Sequence, residues 1–119
     1  MRYAVISDIH SNRHALKAVL TDIRSLKIDE IICLGDIVGY GPTPKEVFEA
    51  AYNNIHHFLL GNHDAVIAGI MDPGCFNDNA RRLIEWTGSV LDGATGKFFR
   101  TLPLVIEGSC FRCTHGEFA

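Results

Sequence analysis

Short continuous apolar runs alternate with helical stripes along this chain. Val5-Ile6, Ile31-Ile32-Cys33-Leu34 and Phe58-Leu59-Leu60 are each bounded by polar or glycine residues. Runs of that length read as strands of a parallel sheet buried on both faces. They place strands at residues 2–7, 30–34 and 55–60. Between the first two, Leu16, Val19, Leu20, Ile23 and Leu26 recur at helical spacing, with Ser11 or Asn12 available as the cap. Between the second and third, Thr43-Pro44-Lys45-Glu46 opens a helix. Thr43 is the expected cap, Pro44 the first helical residue and Glu46 the far half of a capping box. Val47, Phe48, Ala50 and Ala51 form its apolar side. The strand–helix–strand order implies right-handed parallel crossovers.

Beyond the third strand a short helix is expected over residues 65–70, closed by Met71-Asp72-Pro73-Gly74. A longer one follows from Asn77 or Asp78 to about residue 91. Its buried stripe is Ala80, Leu83, Ile84, Thr87, Val90 and Leu91, and Trp86 is expected to pack. Residues 98–103 close a further helical turn. Residues 104–107 and 110–114 read as two strands joined at Gly108-Ser109, a hairpin that begins a second sheet. The fold class is α/β in a single domain over residues 1–119.

The strand ends carry the chemistry. Val5-Ile6-Ser7 leads to Asp8-Ile9-His10, the second strand leads to Gly35-Asp36, and the third leads to Gly61-Asn62-His63-Asp64. In an open α/β sheet, ligands bind outside the carboxyl ends of the strands. Oxygen and imidazole donors without thiolate suit a hard or borderline metal ion. On extended backbone Asp8 and His10, two apart, share one face. Taken singly, an Asp-x-His at a strand end or a Gly-Asp turn is commonplace. The three together, in order, argue against coincidence. His56 and His57 are adjacent, face opposite ways and read as rim residues, and His14 faces solvent.

Asp8-Ile9-His10, Gly35-Asp36 and Gly61-Asn62-His63-Asp64 resemble the first three blocks of the calcineurin-like metallophosphoesterases, D-x-H, G-D and G-N-H-D/E. His115 in Thr114-His115-Gly116 stands for the fourth, a lone histidine. The run Leu34-Gly35-Asp36-Ile37-Val38-Gly39-Tyr40-Gly41-Pro42 resembles the small bacterial and archaeal branch. The resemblance implies an αββα sandwich of which this chain is the N-terminal part, ending before the fifth block, G-H-x-H. It also implies two divalent metal ions, with manganese favoured over iron, zinc, nickel or magnesium. Asp8 and His10 would hold the first, Asp36 would bridge, and Asn62 and His115 would hold the second. His63 would stabilise the phosphoryl group or protonate the leaving oxygen, with Asp64 orienting its ring. The implied reaction is hydrolysis of a phosphomonoester or phosphodiester by a metal-activated water. The alternative is an impaired metal-binding remnant or binding module of the same fold.

Composition argues against a nucleic-acid partner, and the resemblance implies a small phosphoester substrate. With 119 residues and a net charge of −3, the chain has no basic field for nucleic acid. No apolar stretch is long enough to cross a bilayer and the N-terminus lacks a signal-peptide pattern, so a cytoplasmic protein with reduced thiols is expected. Cys33 reads as a small core residue, and the lone Cys110-x-x-Cys113 pair as structural, because zinc needs a second pair. Gly39-Tyr40-Gly41 is no dinucleotide fingerprint. Gly96-Lys97 is no phosphate loop, since Leu91 and Phe98 stand where glycine and Ser or Thr are required. A plain nucleotide-binding α/β domain is therefore disfavoured. An apolar edge at the 104–114 hairpin would favour self-association, making a homo-oligomer the expected alternative to an unstable monomer.

Overall fold

The computed structural model describes residues 1–117. Three strands, β1 (Tyr3–Ile6), β2 (Glu30–Cys33) and β3 (His57–Phe58), form a parallel sheet in the order β1-β2-β3. Ile6 pairs with Cys33 and Cys33 with Phe58, so all three carboxyl ends reach one edge. Helix α1 (Arg13–Arg24) crosses from β1 to β2, and α2 (Pro44–Asn54) from β2 to β3. Then follow α3 (Asn62–Ile67), a short 3-10 turn at Pro73–Cys75, α4 (Asp78–Val90) and α5 (Gly93–Arg100). A second, antiparallel sheet pairs β4 (Val105–Glu107) with β5 (Arg112–Thr114), with Gly108 N–H donating to the Phe111 carbonyl at 2.9 Å to close the turn.

The core lies between the parallel sheet and its helices. Leu16, Leu20 and Ile23 of α1 and Val47 and Ala51 of α2 pack with Ile31 and Cys33. Phe99 of α5 is fully buried. Phe98 stacks edge-on against Phe58 at 5.4 Å and Phe48 at 5.6 Å, so α5 is tied to both β3 and α2. Aromatic pairs in this geometry add about 1 kcal/mol beyond area burial.

Several expectations are corrected. β1 is not buried on both faces: it pairs only with β2 among the described residues, Ala4 and Ile6 face the core, and Val5 stays 54% exposed. The capping box at Thr43 does not form. The Thr43 hydroxyl donates to the Ser11 carbonyl at 2.7 Å and accepts from Arg13 N–H at 3.2 Å, tying the start of α2 to that of α1. β3 shortens to two residues, because Leu59 and Leu60 turn inward after Leu59 N–H bonds the Cys33 carbonyl at 2.9 Å. α3 starts at Asn62, so Asn62, His63 and Asp64 are its first turn rather than a strand end. α5 begins at Gly93, earlier than the 98–103 turn, because Asp92 caps it by accepting from Ala94 and Thr95 N–H. Trp86 and Val90 lie on the solvent side of α4.

Asn12 and Asn77 cap α1 and α4 as the spacing requires. His14 is exposed, and Arg81 pairs with Glu85 on the surface of α4. His57 pairs with Glu30 at 2.6 Å, and His56 Nδ1 accepts the Ile31 N–H at 2.8 Å, both away from the carboxyl edge. All four cysteines are free thiols, and burial pushes the Cys33 thiol up to about 12, which keeps it inert.

Candidate metal centre

The loops after β1 and β2 run side by side beyond the strands. Asp8 N–H donates to the Gly35 carbonyl at 3.0 Å, His10 to Asp36 at 3.0 Å and Ser11 to Ile37 at 2.9 Å. Asp8 (φ 56°), His10 (φ 47°), Ser11 (φ 57°) and Asp36 (φ 58°) are all left-handed. Asp8 and His10 therefore meet through a strained loop, not through strand alternation. Left-handed residues other than glycine cost about 1 kcal/mol or more apiece, and such strain collects at functional sites. The inter-loop hydrogen bonds offset that cost locally.

Asp36, 3% exposed, is the hub. Its Oδ2 is approached by His63 Nδ1 at 3.1 Å, His115 Nε2 at 3.3 Å and His10 Nε2 at 3.5 Å. Its Oδ1 accepts the His63 backbone N–H at 3.0 Å. Burial opposes ionisation of Asp36. The hydrogen bonds from the His63 ring and backbone, with His63 and His115 close by, outweigh it and hold the carboxyl below its usual range. Asp8 Oδ1 lies 3.4 Å from His10 Nε2, and Asn62 Oδ1 lies 3.1 Å from His115 Nε2. The structure thus gathers Asp8, His10, Asp36, Asn62, His63 and His115. Two sets share Asp36: His10–Asp36–His63 and Asp8–Asp36–His115, the atoms of each within 4.8 Å of one another.

Asp64 behaves differently from the expectation that it orients the His63 ring. Its carboxylate accepts backbone N–H groups of Asp36 at 2.8 Å, Ile37 at 3.1 Å, Val38 at 3.3 Å and Gly61 at 3.3 Å. The His63 ring faces Asp36 instead. Asp64 is fully buried and holds the 36–38 loop in shape. Burial and the Asp36 charge push its carboxyl up to about 7, against the pull of the Val38, Gly61 and Asp36 N–H groups. A Cβ on Gly61 would land on the backbone nitrogen and Oδ1 of Asp36, so only glycine lets these two loops touch.

The donor atoms suit cations. A carbonyl only accepts, so the Nδ1 of His10, 3.1 Å from the Val38 oxygen, carries its proton. The same holds for His115 Nδ1, 2.9 Å from the Leu34 oxygen. In the neutral rings both Nε2 atoms then present lone pairs toward Asp36. Fixing a ring by its far nitrogen is how metal-bound histidines are oriented. Asn62 Oδ1 points into the same space. Rotated by 180°, its amide would donate to Asp36 at 3.0 and 3.1 Å and to His115 at 3.1 Å. That rotated orientation is the one the surrounding acceptors satisfy in the protein without a cation. The His63 Nε2 is buried and has no partner among the described residues. A cavity of about 600 Å³ opens beside Asn62 and His115 toward Leu104 of the hairpin.

Two residues at the site receive no role from the motif reading. Tyr40 and Phe76 each pack on the His63 ring, at 4.9 and 4.7 Å. Tyr40 carried one faint signal, a bulky ring between two glycines. Phe76 reaches the site only through a tertiary contact and carried none.

An open α/β sheet with oxygen and imidazole donors converging at its carboxyl edge is the architecture of a metal-centred α/β protein. The family model for calcineurin-like phosphoesterases matches residues 1–118, and this chain belongs to that family. It is 46% identical over 104 residues to the uncharacterized protein MJ0912 of Methanocaldococcus jannaschii, covering 87% of this chain and 43% of that protein. Among solved structures it resembles a metallophosphoesterase from Sphaerobacter thermophilus, with 36% identity and a TM-score of 0.77 over 94% of this chain and 45% of that one. It also resembles the hypothetical protein PH1004 from Pyrococcus horikoshii OT3, with 29% identity and a TM-score of 0.76 over 87% of this chain and 48% of that one. The chain spans about half the length of these relatives. No helix among the described residues is long and apolar enough to cross a membrane.

Proposed function

We propose that the Asp36 cluster is the dinuclear centre of a hydrolase acting on a small phosphomonoester or phosphodiester. The observation that carries this reading is the convergence of lone pairs on Asp36 Oδ2, with the His10 and His115 rings fixed by backbone carbonyls. Asp8 and His10 would hold one divalent ion, Asn62 and His115 the other, and Asp36 would serve both. Manganese is favoured, in keeping with an oxygen-rich set that includes imidazole. When bound, such a pair supplies an acidified water and neutralises charge on the phosphoryl oxygens.

The chain's own residues do the rest. Asp36 holds the His63 Nδ1 proton and fixes the ring. The buried Nε2 is then the atom left to meet a phosphoryl or leaving-group oxygen, and a proton held there is available to the departing alkoxide. Asp64 keeps the 36–38 loop, and with it the Val38 carbonyl that sets the His10 tautomer, in register. The test is hydrolysis of bis-p-nitrophenyl phosphate by the purified chain with added Mn²⁺, beside Asp36→Asn. Metal-dependent turnover that is lost in Asp36→Asn supports the reading. Folded protein without turnover would favour the metal-binding remnant instead.

A further inference from the structure

We propose that Tyr40 is a specificity-determining residue, and that this site prefers phosphoesters whose organic portion carries an aromatic ring. The inference rests on the phosphoester reading of the Asp36 cluster. Tyr40 is left-handed, with φ at 61°, and its side chain is 44% exposed. A bulky residue in that conformation is strained, and nothing about a surface loop requires it; asparagine or glycine would sit there at less cost. Its ring nevertheless lies against two of the centre's three histidines, 5.0 Å and edge-on to His10 and 4.9 Å from His63. Phe76 lies 4.7 Å from the same His63 ring.

The backbone is shaped to permit this. Gly39 has φ at 94°, and a Cβ there would come within 2.6 Å of His63 Cδ2. The loop can therefore lie on the imidazole and still lift Tyr40 over it. The Tyr40 hydroxyl is not what anchors the ring, since among the described residues it has no hydrogen-bond partner. The strain is thus spent on holding an exposed aromatic face beside His63. That face, beside the imidazole proposed to meet the phosphoryl group, offers an aromatic surface on which a ring of the ester's organic portion can stack. A flat aromatic substituent would gain from it and a methyl group would not.

Equilibrium binding separates this from a structural role. Phenylphosphonate and methylphosphonate are titrated into the chain in Mn²⁺, for the parent, Tyr40→Leu and Tyr40→Phe. The parent should bind the phenyl compound more tightly. Tyr40→Leu should cut the phenyl-to-methyl affinity ratio about tenfold, the scale of one lost aromatic contact, and Tyr40→Phe should retain it. A merely structural Tyr40 would weaken both ligands alike in Tyr40→Leu. That result, or a parent that binds the two equally, overturns the proposal and leaves the phosphoester reading standing. A parent that binds neither overturns both.

Discussion

Asp36 and Asp64 brace one another across the gap between the β2 loop and α3. Asp64 Oδ2 accepts the Asp36 backbone N–H at 2.8 Å, while the Asp36 carboxylate accepts the backbone N–H of His63, next to Asp64, at 3.0 Å. Each acid fixes the other's segment, and only Asp36 is left facing the imidazoles. Replacing Asp64 by asparagine keeps the shape but turns an NH2 toward backbone N–H donors. Leaving buried donors unmet costs about 1–3 kcal/mol. Asp64→Asn should lower unfolding stability by that order in urea denaturation. An unchanged midpoint would remove Asp64 from this role.

The same carboxyl gives a pH signature. In cation-free protein the folded Asp64 carboxyl is pushed up to about 7 from its ordinary value of 3.8. Between those values the native state binds more protons than the unfolded chain, so this group's contribution to stability falls as pH rises from about 4 to about 7. Asp36, shifted downward, acts in the opposite sense and only at more acid pH. The stability difference between parent and Asp64→Asn, followed by denaturation across that range without divalent ions, should decline with rising pH. Adding Mn²⁺ should flatten the decline, because nearby cations favour the ionised carboxylate.

Gly61→Ala should be among the most damaging small substitutions. The added methyl would meet the Asp36 backbone nitrogen and carboxylate, neither of which is a flexible side-chain end. A forced core rearrangement costs about 1–3 kcal/mol. Thermal unfolding should show the loss, together with weaker Mn²⁺ binding. An alanine variant with parental stability and affinity would contradict the close approach.

His63 separates binding from chemistry. Its Nε2 is the buried atom without a described partner. If it serves the reacting phosphate, His63→Gln should keep both ions and lower kcat about 10²–10⁴-fold, the usual range for a lost general acid. Its place in the His10–Asp36–His63 set offers the contrary outcome, loss of an ion with little further loss of rate per loaded site. Metal analysis alongside kcat decides.

Much of this was legible in the sequence because short-range patterns carried it. The parallel strands follow from apolar runs and α1 from its stripe; the hairpin forms as well, but its turn spans residues 108–111 and its second strand starts at Arg112 rather than Cys110. The motif residues Asp8, His10, Asp36, Asn62 and His115 do converge. What spacing could not reveal were conformations set by tertiary contact. Spacing alone makes Asp8 and His10 extended, but the ladder to Gly35, Asp36 and Ile37 holds them left-handed. The motif makes Asp64 a partner for the His63 ring, yet it takes backbone N–H groups from Asp36, Ile37 and Val38, distant in sequence, and from nearby Gly61. Thr43 fits a local cap by spacing, but Ser11 and Arg13, about 30 residues earlier, take its hydroxyl instead.

The central claim is that Asp36 serves two cations at once, and metal stoichiometry tests it most directly. The purified chain would be stripped with chelator, titrated with Mn²⁺ and measured by calorimetry and elemental analysis, beside Asp36→Asn. Two ions per chain in the parent, with both sites weakened by the single Asp36→Asn change, is the expected result. One ion per chain, or two that survive Asp36→Asn undiminished, would contradict the account.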